Sequence, residues 1–478
     1  MKIAKLFFLT ALALMTAACS NDDNDLTTQQ PQKTEGITIT AQLAPKDAAA
    51  TSRAVADNSD NKITATWAAN EHVAILYEVN STKYTADATI TSVDGDGTAT
   101  ISFTVEAGTP DDTPCTLVYP LAAAKADHSG VKDYADLLAT QDGVLDNNLD
   151  VRMGEGTIQT TTPGLTVTTQ PAAQYSIFKF TTQNIGGTNK EATQFKVSDN
   201  SGNVITTVTP ASATGTLYVA LPALTTGTYW FNATIDSKSY IAKADITTAT
   251  VAGKYYQTTV KMATVGDAIL SNSKFAAKGT SDQQAIIVYV GTVDKYFNHF
   301  LALALEDAVT GNSTDGGVSW NDALTAVGTY AAAHPITIGS TTYNDANAWT
   351  SAYDVVTPSD ATTSATATTL HQGWRMPTIT DWRYLYAGIF GKSATDPLGI
   401  NNYSDYGYNQ SSGADLSAIR KLVSYDILDA YNPYNTYWFS SEVDGESDKA
   451  WRIEVFYVTW GGGDKTNVYH SVVAVFAY

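Results

Sequence analysis

His72, His128, His299, His334, His371 and His470 are dispersed along the chain, and no His-Glu-x-x-His pattern or close pair appears among them. A resident metal needs ligands brought close by spacing or fold, so none is expected here. No phosphate-binding glycine loop, dinucleotide-binding glycine pattern or Gly-x-Ser-x-Gly elbow occurs either. Aspartates and glutamates could supply a pair of carboxylates for glycoside hydrolysis, but nothing in the sequence selects a pair. The chain is therefore not expected to be an enzyme, and no cofactor is expected. Its two cysteines are Cys19 and Cys115. Cys115 lies in Pro114-Cys115-Thr116-Leu117-Val118-Tyr119, which reads as a strand, so it is expected to be a small buried hydrophobe; the alternative is a reactive thiol.

Recognition is the more promising chemistry. Two stretches, Tyr403-Ser404-Asp405-Tyr406-Gly407-Tyr408-Asn409-Gln410 and Tyr431-Asn432-Pro433-Tyr434-Asn435-Thr436-Tyr437, are rich in tyrosine and asparagine. Tyrosine offers a large contact area at low entropy cost, and asparagine and serine add adaptable hydrogen bonds. Tyr403, Tyr406, Tyr408, Asn409, Tyr431, Asn432 and Tyr434 are accordingly candidate contacts for a glycan or for another ligand on a host or bacterial surface. The alternative is a pair of solvated loops with packed tyrosines.

The chain begins with Lys2 and Lys5, then a mostly apolar run over residues 6–18 that ends in small residues before Cys19. A basic start, a short apolar core and small residues before a cut define a secretory signal over residues 1–18. The run falls short of the roughly 20 residues needed to span a bilayer. The cysteine at the cut resembles the lipobox of bacterial lipoproteins, which implies that Cys19 becomes the lipid-bearing first residue; Thr16 stands where that pattern has leucine. An ordinary signal with a chance cysteine is the alternative. Ser20-Asn21-Asp22-Asp23-Asn24-Asp25 resembles the signal that sends Bacteroidetes lipoproteins to the outer face of the outer membrane. With Cys19 lipidated, Cys115 has no partner and no intramolecular disulfide forms.

The 478 residues carry 28 Lys+Arg against 48 Asp+Glu, a net charge of -20 that becomes -22 once Lys2 and Lys5 leave with the signal. Such a polyanion repels nucleic acid, which is excluded as a direct partner. The length suggests two to four domains. Residues 19–35 are too polar to bury a core and read as a tether. From residue 36 the pattern turns β: Ile37-Thr38-Ile39-Thr40-Ala41-Gln42-Leu43 alternates apolar and polar. Short β-branched or aromatic runs bounded by Asn, Asp or Gly continue to residue 163, with a helix near residues 134–138. A second β block fills residues 164–263, and Val265-Gly266-Asp267 reads as a hinge. In residues 264–478 helical patterns appear. Ser319 and Thr378 are expected N-caps, with Asp322 and Asp381 completing the capping boxes. Aromatic strands are expected at residues 437–441, 450–460 and 468–477. Trp374, Trp382, Trp438 and Trp451 read as core rather than binding platforms. Arg375 is expected to pair with a carboxylate or with backbone carbonyls.

The two β blocks resemble the fimbrillin family, the pilin subunits of Bacteroidales fimbriae. The resemblance rests on the lipobox, the strand at residues 37–43, the loop holding Arg53, and Gly253-Lys254-Tyr255-Tyr256 opening a last strand. It also rests on Trp67-Ala68-Ala69-Asn70-Glu71-His72-Val73-Ala74-Ile75-Leu76-Tyr77, where the family tends to have Gly-Asp at the position of Asn70-Glu71. Residues 264–478 are similar to C-terminal domains of fimbrillin-like tip proteins, related to major-paralogue domains with a C-type-lectin-like fold. The carriers there are Ser319-Trp320-Asn321-Asp322-Ala323, Gly373-Trp374-Arg375-Met376-Pro377-Thr378 with Asp381-Trp382, Tyr437-Trp438-Phe439-Ser440-Ser441-Glu442, and Val473-Ala474-Val475-Phe476. The fold class this implies is mainly β: two fimbrillin-like β-sandwich domains, then an α+β C-type-lectin-like domain. Trp320-Asn321-Asp322 spells the tripeptide of a calcium-dependent sugar site, but it opens an early helix instead of lying on a late strand, so no metal site is assigned to it.

The resemblance implies an exported subunit that is cut between Arg53 and Ala54, loses the strand at residues 37–43, and accepts a strand from another fimbrillin subunit by β-strand addition. Because the chain runs on beyond residue 262 it is expected to accept and not to donate, as a tip or accessory subunit presenting an adhesin domain. The competing expectation is a permanently lipid-anchored surface protein for glycan binding or fimbria assembly; an uncut loop arginine at Arg53 would go with it. A glycan-active enzyme is the third alternative.

Overall fold

In a computed structural model of the chain, the structure describes residues 36–46, 55–57, 63–293, 296–308, 318–345, 355–356, 372–390, 436–443, 446–454, 459–466 and 470–478. The expected mainly β class is observed. The first region contains β1 (Ile37–Leu43), β2 (Val55–Asp57), β3 (Ile63–Ala65), β4 (His72–Val79), β5 (Thr82–Val93), β6 (Ala99–Val105), β7 (Thr113–Tyr119), α1 (Tyr134–Leu138), β8 (Thr140–Gln141), β9 (Arg152–Gln159) and β10 (Gly164–Ala173). Seven of these strands form one antiparallel sheet in the order β1-β6-β5-β4-β7-β9-β10. The domain boundary expected after residue 163 falls between β9 and β10, which pair with each other. Alternation decides which face is buried: Ile39 and Leu43 point inward from β1 to meet Val73, Ile75, Ile101, Phe103, Leu117 and Ile158. Leu165 and Val167 of β10 pack on the same cluster, so the two ends of the sheet come together around it. The β4–β5 hairpin turns through Asn80 and Ser81 at φ 50° and 64°, the positive pair that a two-residue type I′ turn requires.

The second region contains β11 (Ser176–Asn184), β12 (Gln194–Asp199), β13 (Val204–Val208), β14 (Thr216–Leu221), β15 (Gly227–Ile235), β16 (Lys238–Ile246) and β17 (Tyr255–Met262). Two sheets, β14-β11-β17 and β16-β15-β12-β13-β8, face each other. Phe180 of β11 meets Phe195 of β12 at 5.1 Å and Phe231 of β15 at 5.4 Å between ring centres, which closes the sandwich. β17 runs parallel to β11 along its full length. The first region is fastened to the second by Gln141: its side-chain amide donates to the Ala220 carbonyl at 2.9 Å, and its side-chain oxygen accepts from Ala220 N at 2.9 Å.

In the third region β18 (Ala268–Leu270), β19 (Phe275–Ala276), β20 (Gln283–Val290) and β21 (Phe300–Ala304) precede α2 (Trp320–Ala333). β22 (Ile336–Ile338), β23 (Thr341–Tyr343), β24 (Val355–Val356) and β25 (Gly373–Arg375) lead to α3 (Ile379–Phe390). β26 (Thr436–Val443), β27 (Glu446–Glu454), β28 (Thr459–Asp464) and β29 (Val475–Ala477) follow. The main sheet has the order β19-β18-β20-β21-β29-β25, and a second has β24-β26-β27-β28. The segment expected as one strand over residues 450–460 is two, because Glu454 pairs antiparallel with Thr459 and the chain reverses between them. Both expected N-caps are formed, and the reciprocal capping box is complete at Thr378 and Asp381. Ser319 Oγ accepts from Asp322 N at 3.3 Å and donates to Asp322 Oδ2 at 2.7 Å. Thr378 Oγ1 accepts from Asp381 N, and Asp381 Oδ2 from Thr378 N, each at 2.9 Å.

Trp374, Trp382 and Trp438 are fully buried, as expected of core residues; the side chain of Trp451 lies outside those described. Arg375 has both of its expected kinds of partner. It grips the Asp381 carboxylate with two nitrogens, and Nη1 donates to the Tyr296 carbonyl at 3.0 Å. The turn read as a hinge is tied down: the Asp267 carboxylate accepts from Thr264 N at 2.9 Å, and Gly266 N donates to the Ile287 carbonyl at 2.9 Å. Trp230, Ile241 and Ala263 of the second region join the core of the third, so the two share apolar packing.

Candidate functional site

Every candidate residue named from the sequence lies outside the described residues: Cys19, Arg53 and Ala54, and Tyr403, Tyr406, Tyr408, Asn409, Tyr431, Asn432 and Tyr434. What the structure does describe is the strand that a cut after Arg53 would release, together with the residues that hold it. β1 is an end strand of its sheet. It pairs antiparallel with β6 from Ile37 opposite Val105 to Leu43 opposite Ala99. Its two deepest side chains, Ile39 and Leu43, have no exposed surface. Its other side faces β10, from which Gln170 Oε1 accepts a hydrogen bond from Ala44 N at 3.3 Å. Beyond residues 47–54 the chain resumes in β2, which among the described residues pairs with β3 in a separate ribbon.

Three residues past Leu43 the chain does something the sequence gives no hint of. Lys46 is buried, its side chain wholly inaccessible. The ammonium sits 3.5 Å from the centre of the Tyr119 ring and 4.3 Å from that of Trp67. It lies 3.1 Å from Asp150 Oδ2 and 3.7 Å from Glu71 Oε2, close enough for charge pairing without the alignment of a hydrogen bond. Burial lowers its pKa below the ordinary lysine value, and the carboxylates of Asp150 and then Glu71 oppose that shift.

The surrounding groups fix this socket. Tyr119 OH donates to Glu71 Oε1 at 2.7 Å, and the same carboxylate accepts from Ala68 N at 3.0 Å. Burial raises the Tyr119 pKa, so the phenol stays a donor. Arg152 Nε donates to Asp150 Oδ1 at 2.7 Å, and its Nη1 to the Lys46 carbonyl at 3.1 Å. The Trp67 indole N–H donates to the Ala44 carbonyl at 2.9 Å. The segment after β1 is thus clasped by side chains from the sheet and its turns: Trp67, Glu71, Tyr119, Asp150, Arg152 and Gln170. Asn70, where the fimbrillin pattern has glycine, takes a left-handed φ of 69°; asparagine is among the few residues that tolerate it. Its neighbour Glu71 supplies one of the two socket carboxylates.

A cavity of about 370 Å³ opens beside the socket, where Asp150 and Arg152 face Tyr175, Lys254 and Tyr255 of the second region. Elsewhere, Cys115 is buried and its thiol is pushed up to about 12 by that burial, which fits the inert reading. Trp320, which opens the Trp-Asn-Asp tripeptide, is buried at the start of α2. Among the described residues no group of three metal-ligating side chains converges, and no helix is long and apolar enough to cross a membrane.

No protein-family model matches the sequence, and no curated protein matches it. Among solved structures the chain is similar to a fimbrial protein from Bacteroides ovatus, at 11% identity and a TM-score of 0.27, with 93% of this chain and 99% of that one covered. It is similar to a putative cell adhesion protein from Bacteroides uniformis at 14% identity and a TM-score of 0.29, covering 49% of this chain and 97% of that one. A fimbrial assembly protein from Parabacteroides distasonis gives 12% identity and a TM-score of 0.27, over 47% of this chain and 90% of that one. Likenesses this distant leave the functional reading to the residues themselves.

Proposed function

We propose that this chain is a fimbrial subunit of tip or accessory type, exported as a lipoprotein through Cys19, and matured by a cut between Arg53 and Ala54. The cut releases β1, and the vacated groove accepts a strand from another subunit. The observation that carries this reading is the place of β1: an end strand with one ladder partner, two core-filling side chains, and a continuation separated from it by the candidate cut. Main-chain ladder bonds would supply affinity and the pockets of Ile39 and Leu43 the register. β17 supports an accepting role, since it is paired along its length with β11 and leads directly into β18. The third region, C-type-lectin-like by sequence resemblance, then presents the adhesin surface, with the loops holding Tyr406 and Tyr434 as ligand contacts. Its work is binding rather than catalysis.

Sequencing the N-terminus of protein purified from the cell surface tests this. Ala54 as first residue supports assembly after cleavage. A lipidated Cys19 with no trimmed form supports the second reading, a permanently anchored surface protein for glycan binding or fimbria assembly. The clasp on residues 44–46 favours that second reading, because it holds β1 more firmly than strand pairing alone. A glycan and matrix-protein array probed with the full chain and with Tyr406→Ala/Tyr434→Ala tests the ligand loops.

A further inference from the structure

The groove beneath β1 does not end with its apolar pockets; it ends in the socket around Lys46. We propose that the strand accepted in place of β1 must carry a lysine three residues after its last core-filling side chain, and that this ammonium occupies the seat between Trp67, Tyr119, Glu71 and Asp150. The proposal rests on the strand-accepting reading and adds to it the chemistry of the partner. Removal of the segment ending in Lys46 takes from the cluster the cation that pairs with both Asp150 and Glu71, and leaves Arg152 paired with Asp150. Arg152 Nε stays engaged by Asp150 Oδ1 when the segment leaves, and it is Lys46 Nζ, not the guanidinium, that lies over the two rings. A buried carboxylate deprived of its cation is costly, and the faces of Trp67 and Tyr119, set at 90° to each other, attract a cation and no other charge.

The seat also selects among cations. Nζ is a compact point charge 3.5 Å from one ring centre and 4.3 Å from the other; a planar guanidinium needs more width and a carboxylate fork to match. The partner segment therefore reads as apolar residues at four alternate positions, as at Ile37, Ile39, Ala41 and Leu43, and lysine at the tenth, as at Lys46.

The test uses the full chain with a sequence-specific protease site placed across residues 50–53. After cutting, the strand is released in moderate urea and replaced by labelled synthetic decamers of residues 37–46. The unaltered decamer is expected to rebind, and decamers with Lys46→Met or Lys46→Glu to bind about tenfold more weakly or worse. In a Glu71→Gln chain the penalty for Lys46→Met is expected to shrink, because the carboxylate that calls for the cation has gone. Equal binding of the unaltered and Lys46→Met decamers overturns the lysine requirement and leaves the strand-accepting reading standing. Failure of every decamer, the unaltered one included, overturns both.

Discussion

The imidazole of His299 stacks on the indole of Trp230, 4.2 Å between ring centres and 14° between planes. One ring belongs to the third region and the other to β15 of the second. Asn200 locks the pair: its side-chain oxygen accepts from Trp230 Nε1 at 3.1 Å and from Tyr478 OH at 2.9 Å, and its carbonyl lies 3.3 Å from His299 Nε2. Burial pushes the His299 pKa down to about 4. An unfolded histidine titrates near 6.5, so between those values the unfolded chain binds a proton that the folded one refuses. Stability is therefore expected to fall as pH drops from 6.5 towards 4, by roughly 3 kcal/mol over that window. Urea midpoints at pH 7.5, 5.5 and 4.5 check this; a His299→Gln chain should show a shallower dependence, and an equal slope in both would assign the effect elsewhere.

Lys46 should matter to the uncut chain as well. Lys46→Met removes the cation from between two buried carboxylates and is expected to cost about 3 kcal/mol or more. Lys46→Met/Glu71→Gln should cost less than the single change, since the second substitution removes a charge left without the lysine. Chemical denaturation followed by Trp67 fluorescence reports both; additivity of the two changes would deny the coupling.

Arg375 and Asp381 form a second buried pair, and Asp381 also caps α3. Asp381→Asn keeps an acceptor for the cap but strands the guanidinium, with an expected loss of about 3–5 kcal/mol. Arg375→Lys should also destabilise, because an ammonium cannot reproduce the fork. Near-ultraviolet dichroism of the surrounding tryptophans during thermal unfolding would reveal either loss.

Two helical glycines should respond oppositely to alanine. A Cβ on Gly388 in α3 would stand 1.9 Å from the Val288 carbonyl oxygen of β20, so Gly388→Ala must lift the helix off the sheet. The expected cost is about 1–3 kcal/mol, despite alanine's better helix propensity. Gly328 in α2 has no atom within 4 Å of that position. Gly328→Ala should therefore stabilise by about 1 kcal/mol. Thermal unfolding of the two variants side by side decides it.

Local rules made some of this legible in the sequence and long-range ones hid the rest. The starts of α2 and α3 could be read from Ser319 with Asp322 and Thr378 with Asp381, because a capping box is closed within four residues. Period-two alternation marked β1 and told which of its residues would be buried. Nothing local could show that β1 pairs with β6, a strand reached only after two intervening members of the sheet. The role of Lys46 is hidden for a like reason. It follows Ala-Pro and precedes a polar stretch, which reads as solvated, and its carboxylate partners arrive from the turn before β4 and the turn before β9. The Trp230–His299 stack joins residues from two regions that the sequence presented as separate units. The tyrosine-rich stretches around Tyr406 and Tyr434, by contrast, stand out by composition alone and lie outside the described residues.

The seven-stranded sheet brings its first and last strands, β1 and β10, against one another around one core. The two strands face each other with no main-chain ladder between them among the described residues, so β10 covers the free side of β1 and hinders a neighbour from continuing the sheet there. Excision of β1 would bare the ladder of β6 and uncover the side of β10 that faces it. Under the proposed reading, the segment before Arg53 would act as an internal safety catch, keeping the subunit solitary in transit and, once lost, arming the surface on which assembly depends.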